Sequence, residues 1–205
     1  MNPIKIKKIL HLLTRKAKIL IERFKGVDFS SVSSAKKTGV DESIAFRGSP
    51  SGDLYLTAVL KDLGITDQDS ILDIGCSKGS ALNCMTQFPF KNIHGIELSE
   101  YLANIAIKNF HKIGKSNISI FNIDARYFNQ YAKYNFFYFY NPFPEKIMAD
   151  VIKKICLQIS MLNESIIIYN NPTCHNLIEA SGFVKITEYP DFWGNGIYIY
   201  SNKKL

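Results

Sequence analysis

Two hydrophobic periods divide this chain of 205 residues. Over residues 1–25, Ile6, Ile9, Leu10, Leu13, Ala17, Leu20 and Phe24 recur at three- and four-residue steps, with Lys5, Lys8, Arg15, Lys16 and Arg23 largely off that stripe. This spacing predicts an amphipathic helix. Residues 26–52 hold no sustained period, are rich in Ser and Gly, and read as a connector suited to folding over an active site. Residues 53–63 return to helical spacing with Leu54, Val59, Leu60 and Leu63 inward, and Gly64 ends the run. From Ser70 onward short apolar runs alternate with helical segments. Strands are expected at 70–75, 92–98, 117–122, 135–140, 165–170, 183–189 and 196–201, and helices at 79–88, 99–114, 144–161 and 172–180. Gly194-Asn195-Gly196 supplies a reversal between the last two strands, which then pair antiparallel. The pattern is α/β, with a basic helix (1–25), a connector (26–52) and one α/β domain (53–205).

The densest chemistry lies in SILDIGCSKG, residues 70–79, where an apolar run ends in an acid and a Gly-rich turn. Gly75 and Gly79 remove side chains where the backbone must turn and approach a ligand, and the uncapped N–H groups of the next helix supply donors. Asp73 falls at the strand's carboxyl end, where open α/β sheets bind ligands. About 20 residues beyond the turn, KNIHGIEL reads as the next strand with Glu97 at its tip, the spacing of a ribose-binding carboxylate. Leu98 follows, placed to pack on an adenine face. Two strand tips, two carboxylates and one Gly-rich turn describe an adenosine-containing ligand. The dinucleotide fingerprint G-x-G-x-x-G is not met, because Ser77 and Ser80 stand at its second and third Gly positions, which disfavours a nicotinamide or flavin enzyme.

Composition narrows the class. Apolar content of 46% with 21% charged residues predicts a folded globular domain. Cys76, Cys84, Cys156 and Cys174 have no C-x-x-C spacing, which predicts reduced thiols in a cytoplasmic protein and no zinc or other metal site. Residues 1–25 hold eight Lys or Arg against one acid, Glu22, so they carry the whole net charge of +7. A body without net charge argues against a broad nucleic-acid surface. Charges interrupt every apolar run of the first helix, so it cannot span a bilayer, and no signal-peptide pattern is present. Two uses fit it equally: lying on an anionic membrane surface at the inner face of the membrane, or packing against its own domain or a partner chain.

The acid-x-G-x-S-x-G turn at 73–79 resembles the acid-x-G-x-G-x-G turn of class I, Rossmann-like methyltransferases that use S-adenosylmethionine (SAM), with Ser77 in place of the middle Gly. FNIDA, ending at Asp124 and Ala125, is similar to their third strand, whose terminal acid faces the adenine amino group. YNFFYFYNPFP at 134–144 is similar to their fourth strand and its active-site tip. With GVD at 26–28, YNPF at 140–143 and YNNP at 169–172, the chain resembles a bacterial class I group of undefined substrate and, more distantly, the Rossmann-fold histone-lysine methyltransferases. The resemblance covers most of the chain from Gly26 onward. It implies a seven-stranded sheet of order 3-2-1-4-5-7-6 with helices on both faces, and SAM as cofactor held by Asp73, Gly75, Ser77, Gly79, Glu97, Leu98, Asp124 and Ala125.

Methyl transfer from a sulfonium is an in-line displacement, so the protein must align a nucleophile and exclude water. The Asn141 side-chain carbonyl and nearby backbone carbonyls are placed to orient an amine lone pair, similar to the N-P-P-aromatic tip of amino-methylating enzymes, with Phe143 in place of the second Pro. Tyr140 and Asn141 are thus the catalytic candidates, and Phe143 and Trp193 the candidate walls of the substrate pocket. An alcohol would instead need a general base, and His175 is the one histidine near a tip. The expected reaction is methylation of an amine or hydroxyl on a small-molecule, glycan or lipid-linked acceptor, with a protein side chain as the alternative. Two rivals remain from other classes. Gly75-Cys76-Ser77-Lys78-Gly79 also satisfies the G-x-S-x-G nucleophile elbow of α/β-hydrolases, and a SAM-binding module without turnover would carry the same turn.

Overall fold

The computed structural model describes residues 3–46, 50–52, 54–115, 117–159, 164–191 and 196–203. Seven strands form one sheet: β1 Ser70–Ile74, β2 Asn92–Glu97, β3 Ser119–Asn122, β4 Phe136–Tyr140, β5 Ile166–Asn170, β6 Val184–Tyr189 and β7 Ile197–Ser201. Their order is β3-β2-β1-β4-β5-β7-β6, with β7 antiparallel to both neighbours and the β1–β5 pairs parallel. The central strands are near-continuous apolar runs because both sheet faces are covered, whereas the edge strands β3 and β6 stay largely exposed.

Strand periodicity sorts the core into two layers. Leu72, Ile74, Phe137, Phe139, Ile167 and Tyr169 point to one face, packed by α6 (Glu145–Ile159) and α7 (His175–Ala180). Ile71, Phe136, Tyr138, Ile166 and Ile168 point to the other, covered by residues of α3 (Leu54–Asp62), α4 (Ser80–Met85) and α5 (Glu100–Lys112). Leu56, which the spacing did not single out, joins Val59 and Leu60 on the buried side of α3, Leu63 is half-buried, and the Leu54 side chain lies outside the described residues.

Several element ends move for local reasons. The helix expected at 79–88 stops at Met85, and Gln87 and Phe88 close tight turns onto the Cys84 and Met85 carbonyls ahead of Pro89, whose ring disfavours helical backbone at the residue before it. The helix expected from 172 begins at His175, because Asn171 takes a left-handed φ of 52° and turns the chain first. β3 starts at Ser119 rather than 117. Gly194 and Asn195 lie outside the described residues, as does Trp193; the antiparallel β6–β7 pairing expected of their turn is present.

The first helix, α1 (Pro3–Phe24), ends in a glycine turn at Gly26, φ 70°. The connector follows, with one helical turn, α2 (Ala35–Thr38). None of the described helices is long and apolar enough to cross a membrane.

Candidate functional site

Register brings the chemistry together. Ile74 of β1 sits beside Ile96 of β2 and Phe139 of β4, so the carboxyl ends of three strands open onto one cavity. Its wall includes Asp73, Gly75, Ser77, Glu97, Leu98, Asp124, Ala125, Tyr140, Asn141 and Phe143. Of the sequence-derived candidates, Gly79 lies one turn behind this wall as the residue before α4, with φ 84°.

The Gly-rich turn is built on left-handed backbone. Gly75 has φ 88°, and a Cβ there would stand 2.7 Å from the Pro142 Cβ; at Gly79 it would stand 2.5 Å from the Phe110 ring. Ser77 adopts φ 50°, so the turn keeps the conformation that favours glycine and holds a serine in it. Gly75 and Cys76 donate their N–H groups to the Ile96 carbonyl, and Gly79 to the Cys76 carbonyl.

Glu97 ties this turn to the β2 tip. One carboxylate oxygen accepts from Ser77 N–H at 2.8 Å and the other from Ser99 N–H at 2.8 Å, at the start of α5. Burial raises the Glu97 pKa above the usual carboxylate range, partly offset by hydrogen bonds from the Ser99, Ser77 and Leu98 amides. Asp73 is 2% exposed. Burial, and then the charge of Glu97, push its carboxyl well above the ordinary value. Two buried acids on adjacent tips make a site that favours a cationic or hydrogen-bond-donating ligand. The Cys76 thiol is raised well above its usual value by burial and by the same acids, which makes it a poor nucleophile.

The remaining candidates have mixed engagements. Asp124 accepts from Arg126 N–H at 2.9 Å and pairs with the Arg126 guanidinium at 2.6 Å. Burial would raise its pKa, but the Arg126 hydrogen bonds and charge outweigh it and hold it low. It therefore starts a 3-10 turn, Ala125–Tyr127, while also lining the cavity. On the opposite wall Asn141 has φ 38°, and its side-chain carbonyl accepts from the Thr173 hydroxyl at 2.7 Å. The Pro142 carbonyl accepts from Phe46 N–H at 2.8 Å, which attaches the connector to the β4 tip.

The connector covers the cavity: Phe29, Thr38, Val40, Ile44, Ala45 and Phe46 all line it. What holds it there is Lys78, a residue that sequence reasoning missed. Its side chain is 4% exposed, with Nζ 2.6 Å from Asp28 and 2.7 Å from the Ser31 hydroxyl. Asn109 of α5 completes the lock, accepting from Asp28 N–H and donating to the Asp28 and Lys78 carbonyls. The signal was a lysine inside a Gly-rich turn opposite an Asp in GVD, about 50 residues earlier.

Among the described residues no histidine lines the cavity beside the hydrolase-like elbow, and His175 lies 3.7 Å from Glu179 with its ring against Tyr198. Among the described residues no cluster of three or more His, Cys, Asp or Glu is placed to hold a metal ion.

A family described as "Putative methyltransferase" matches residues 67–147, from before β1 to the start of α6. No curated protein matches the chain. Among solved structures, an RNA methyltransferase from Salinibacter ruber in complex with S-adenosyl-L-homocysteine aligns at a TM-score of 0.60 and 14% identity, over 76% of this chain and 95% of that one. A SAM-dependent methyltransferase from Aquifex aeolicus aligns at 0.55 and 13% identity, over 71% and 87%. The magnesium protoporphyrin IX methyltransferase of Synechocystis PCC 6803, with bound SAM, aligns at 0.54 and 13% identity, over 71% and 74%. The shared feature is the fold, the seven-stranded sheet with its reversed β7.

Proposed function

We propose that this chain transfers a methyl group from SAM to an amine or hydroxyl of an acceptor bound at the β4 tip, in the manner of the class I group carrying a YNPF tip. The protein is a SAM-dependent methyltransferase. The observation that carries this reading is the pair of buried carboxylates, Asp73 and Glu97, at adjacent strand ends beside a left-handed Gly-rich turn. The residues present fit that cofactor: a cationic sulfonium ligand compensates two acids whose carboxylate forms burial disfavours. At Gly75 a Cβ would collide with Pro142 on the cavity wall, so a side chain there would displace the loop that must approach the ligand.

When bound, SAM supplies an electrophilic methyl group. Glu97 would accept from the ribose hydroxyls with the lone pairs not used by Ser77 and Ser99, and Leu98 would pack on the adenine. Asp124 lines the cavity with both carboxylate oxygens accepting from Arg126, and would share one of them with the adenine amino group. The connector, pinned by Lys78–Asp28 and by Phe46–Pro142, lies where it would shield a bound sulfonium from water. Asn141, held by Thr173, offers a remaining carbonyl lone pair to orient an acceptor amine, with Tyr140 and Phe143 as walls. A glycan or lipid-linked intermediate suits this aromatic wall.

Calorimetry on the purified chain tests the cofactor: SAM and S-adenosylhomocysteine should bind, NAD and FAD should not. Transfer of labelled methyl to cell fractions tests turnover. Binding without transfer to any fraction would make the chain a SAM-binding module.

A further inference from the structure

The first helix docks on the domain by its polar side. Glu22, 7% exposed, accepts from Phe29 N–H, Ser30 N–H and the Ser30 hydroxyl, and Lys18 Nζ donates to the Gly52 carbonyl at 3.3 Å. Arg15, with its Nε buried, and Ile19 complete this side, being half-buried. At 100° per residue, Arg15, Lys18 and Glu22 share one face, and Leu13, Leu20 and Phe24 lie roughly half a turn away. They are exposed accordingly: Leu20 at 69% and Phe24 at 95%. An amphipathic helix ordinarily buries its apolar stripe on its own domain, and this one turns it outward.

We propose that α1 lays this outward arc into the headgroup boundary of an anionic lipid bilayer, holding the enzyme at a membrane surface. Charge complementarity selects this occupant. Residues 1–25 carry the net +7 of the chain, and Lys16 and Arg23, both exposed, border the apolar arc where their stems can run along it and their charges reach lipid phosphates. The helix's one acid, Glu22, is consumed by the connector amides. A second copy of the same helix would bring cationic margins against cationic margins, with no exposed acid on it to pair them. The docked helix also touches the active-site cover, because Glu22 holds the backbone of Phe29 and Lys18 holds Gly52, next to Ser51. A membrane-bound α1 thus ties the segments that line the cavity to the lipid surface.

The test is flotation of the full chain with vesicles of phosphatidylcholine alone or containing phosphatidylglycerol. The protein should float with the anionic vesicles only and be released between about 0.05 M and about 0.5 M salt. Leu20→Glu with Phe24→Glu should lower partitioning about a hundredfold while the melting temperature stays unchanged, since both side chains are exposed. Lys16→Glu with Arg23→Glu should weaken binding to anionic vesicles in the same direction. No flotation at low salt, or binding undiminished by L20E/F24E, would overturn the proposal. A dimer seen by sedimentation without vesicles, dissolved by L20E/F24E in a protein that does not float, would assign the face to a second copy instead. Vesicle binding is read without SAM, so its failure leaves the methyltransferase reading standing.

Discussion

Replacing Glu97 by Ala removes two things at once, and their energies can be separated. Its oxygens accept from Ser77 N–H and Ser99 N–H, both at 2.8 Å, and Ser99 is 2% exposed. A buried donor left without an acceptor costs about 1–3 kcal/mol, and the Ser77 amide, nearer the cavity, sits at the low end because water can reach it. The loss is offset in part by removing a carboxylate that burial disfavours and whose charge opposes that of Asp73. A net destabilisation of about 1–3 kcal/mol follows, a fall in melting temperature of about 3–10 °C for a domain of this size. SAM affinity should fall about tenfold to a hundredfold, from the missing ribose acceptor and the loosened turn together. Glu97→Gln retains one carbonyl acceptor and should lie between wild type and Ala in both readouts. Differential scanning calorimetry and titration calorimetry measure the two effects. A wild-type melting temperature in E97A would refute the clamp, and a reduced melting temperature with unchanged SAM affinity would refute the ribose role.

Ser77→Gly relieves a left-handed serine, worth about 1 kcal/mol, and adds unfolded-state entropy of similar size, so stability should change by less than about 1 kcal/mol and SAM affinity should hold or improve; fluorophosphonate labelling of Ser77 in the wild type would contradict this and favour a nucleophile. Asn141→Gly, which keeps the backbone free to hold φ 38°, should lose transfer far more than SAM affinity, and equal losses would place Asn141 in the cofactor site. Asp28→Ala leaves the buried Lys78 cation without its carboxylate, and because Asp28 is itself partly exposed the cost should be about 1–3 kcal/mol, with faster proteolysis within residues 26–52; unchanged proteolysis would show that the pair does not hold the connector. Asp73 and Glu97 have raised pKa values, so above about pH 4 the unfolded chain releases protons that the folded chain retains, and apo stability should fall as pH rises through the folded values. SAM should oppose that fall, Asp73→Asn should flatten it, and a pH-independent apo melting temperature from pH 4 to 7 would contradict the assignment.

Local sequence determined the sheet and the strand-tip part of the cavity wall. A fully buried strand must be apolar along its length, and a turn at its end must admit left-handed backbone, so Ile71, Leu72, Gly75 and Gly79 announce themselves without any partner. The 20-residue step from turn to Glu97 is legible for the same reason, being one helix and one strand long. Contacts between distant segments leave no such mark. That Glu97 spends an oxygen on the Ser77 amide, and that Lys78 is buried against Asp28 beside Asn109, depend on where the first turn, the connector and α5 fall in space. The first helix shows the division most clearly. Its stripe of Leu13, Leu20 and Phe24 follows from a 3.6-residue period, but the period is indifferent to which side meets the domain. Only the tertiary structure, by burying Glu22 under the connector amides, decided that the polar side faces in and the apolar side faces out.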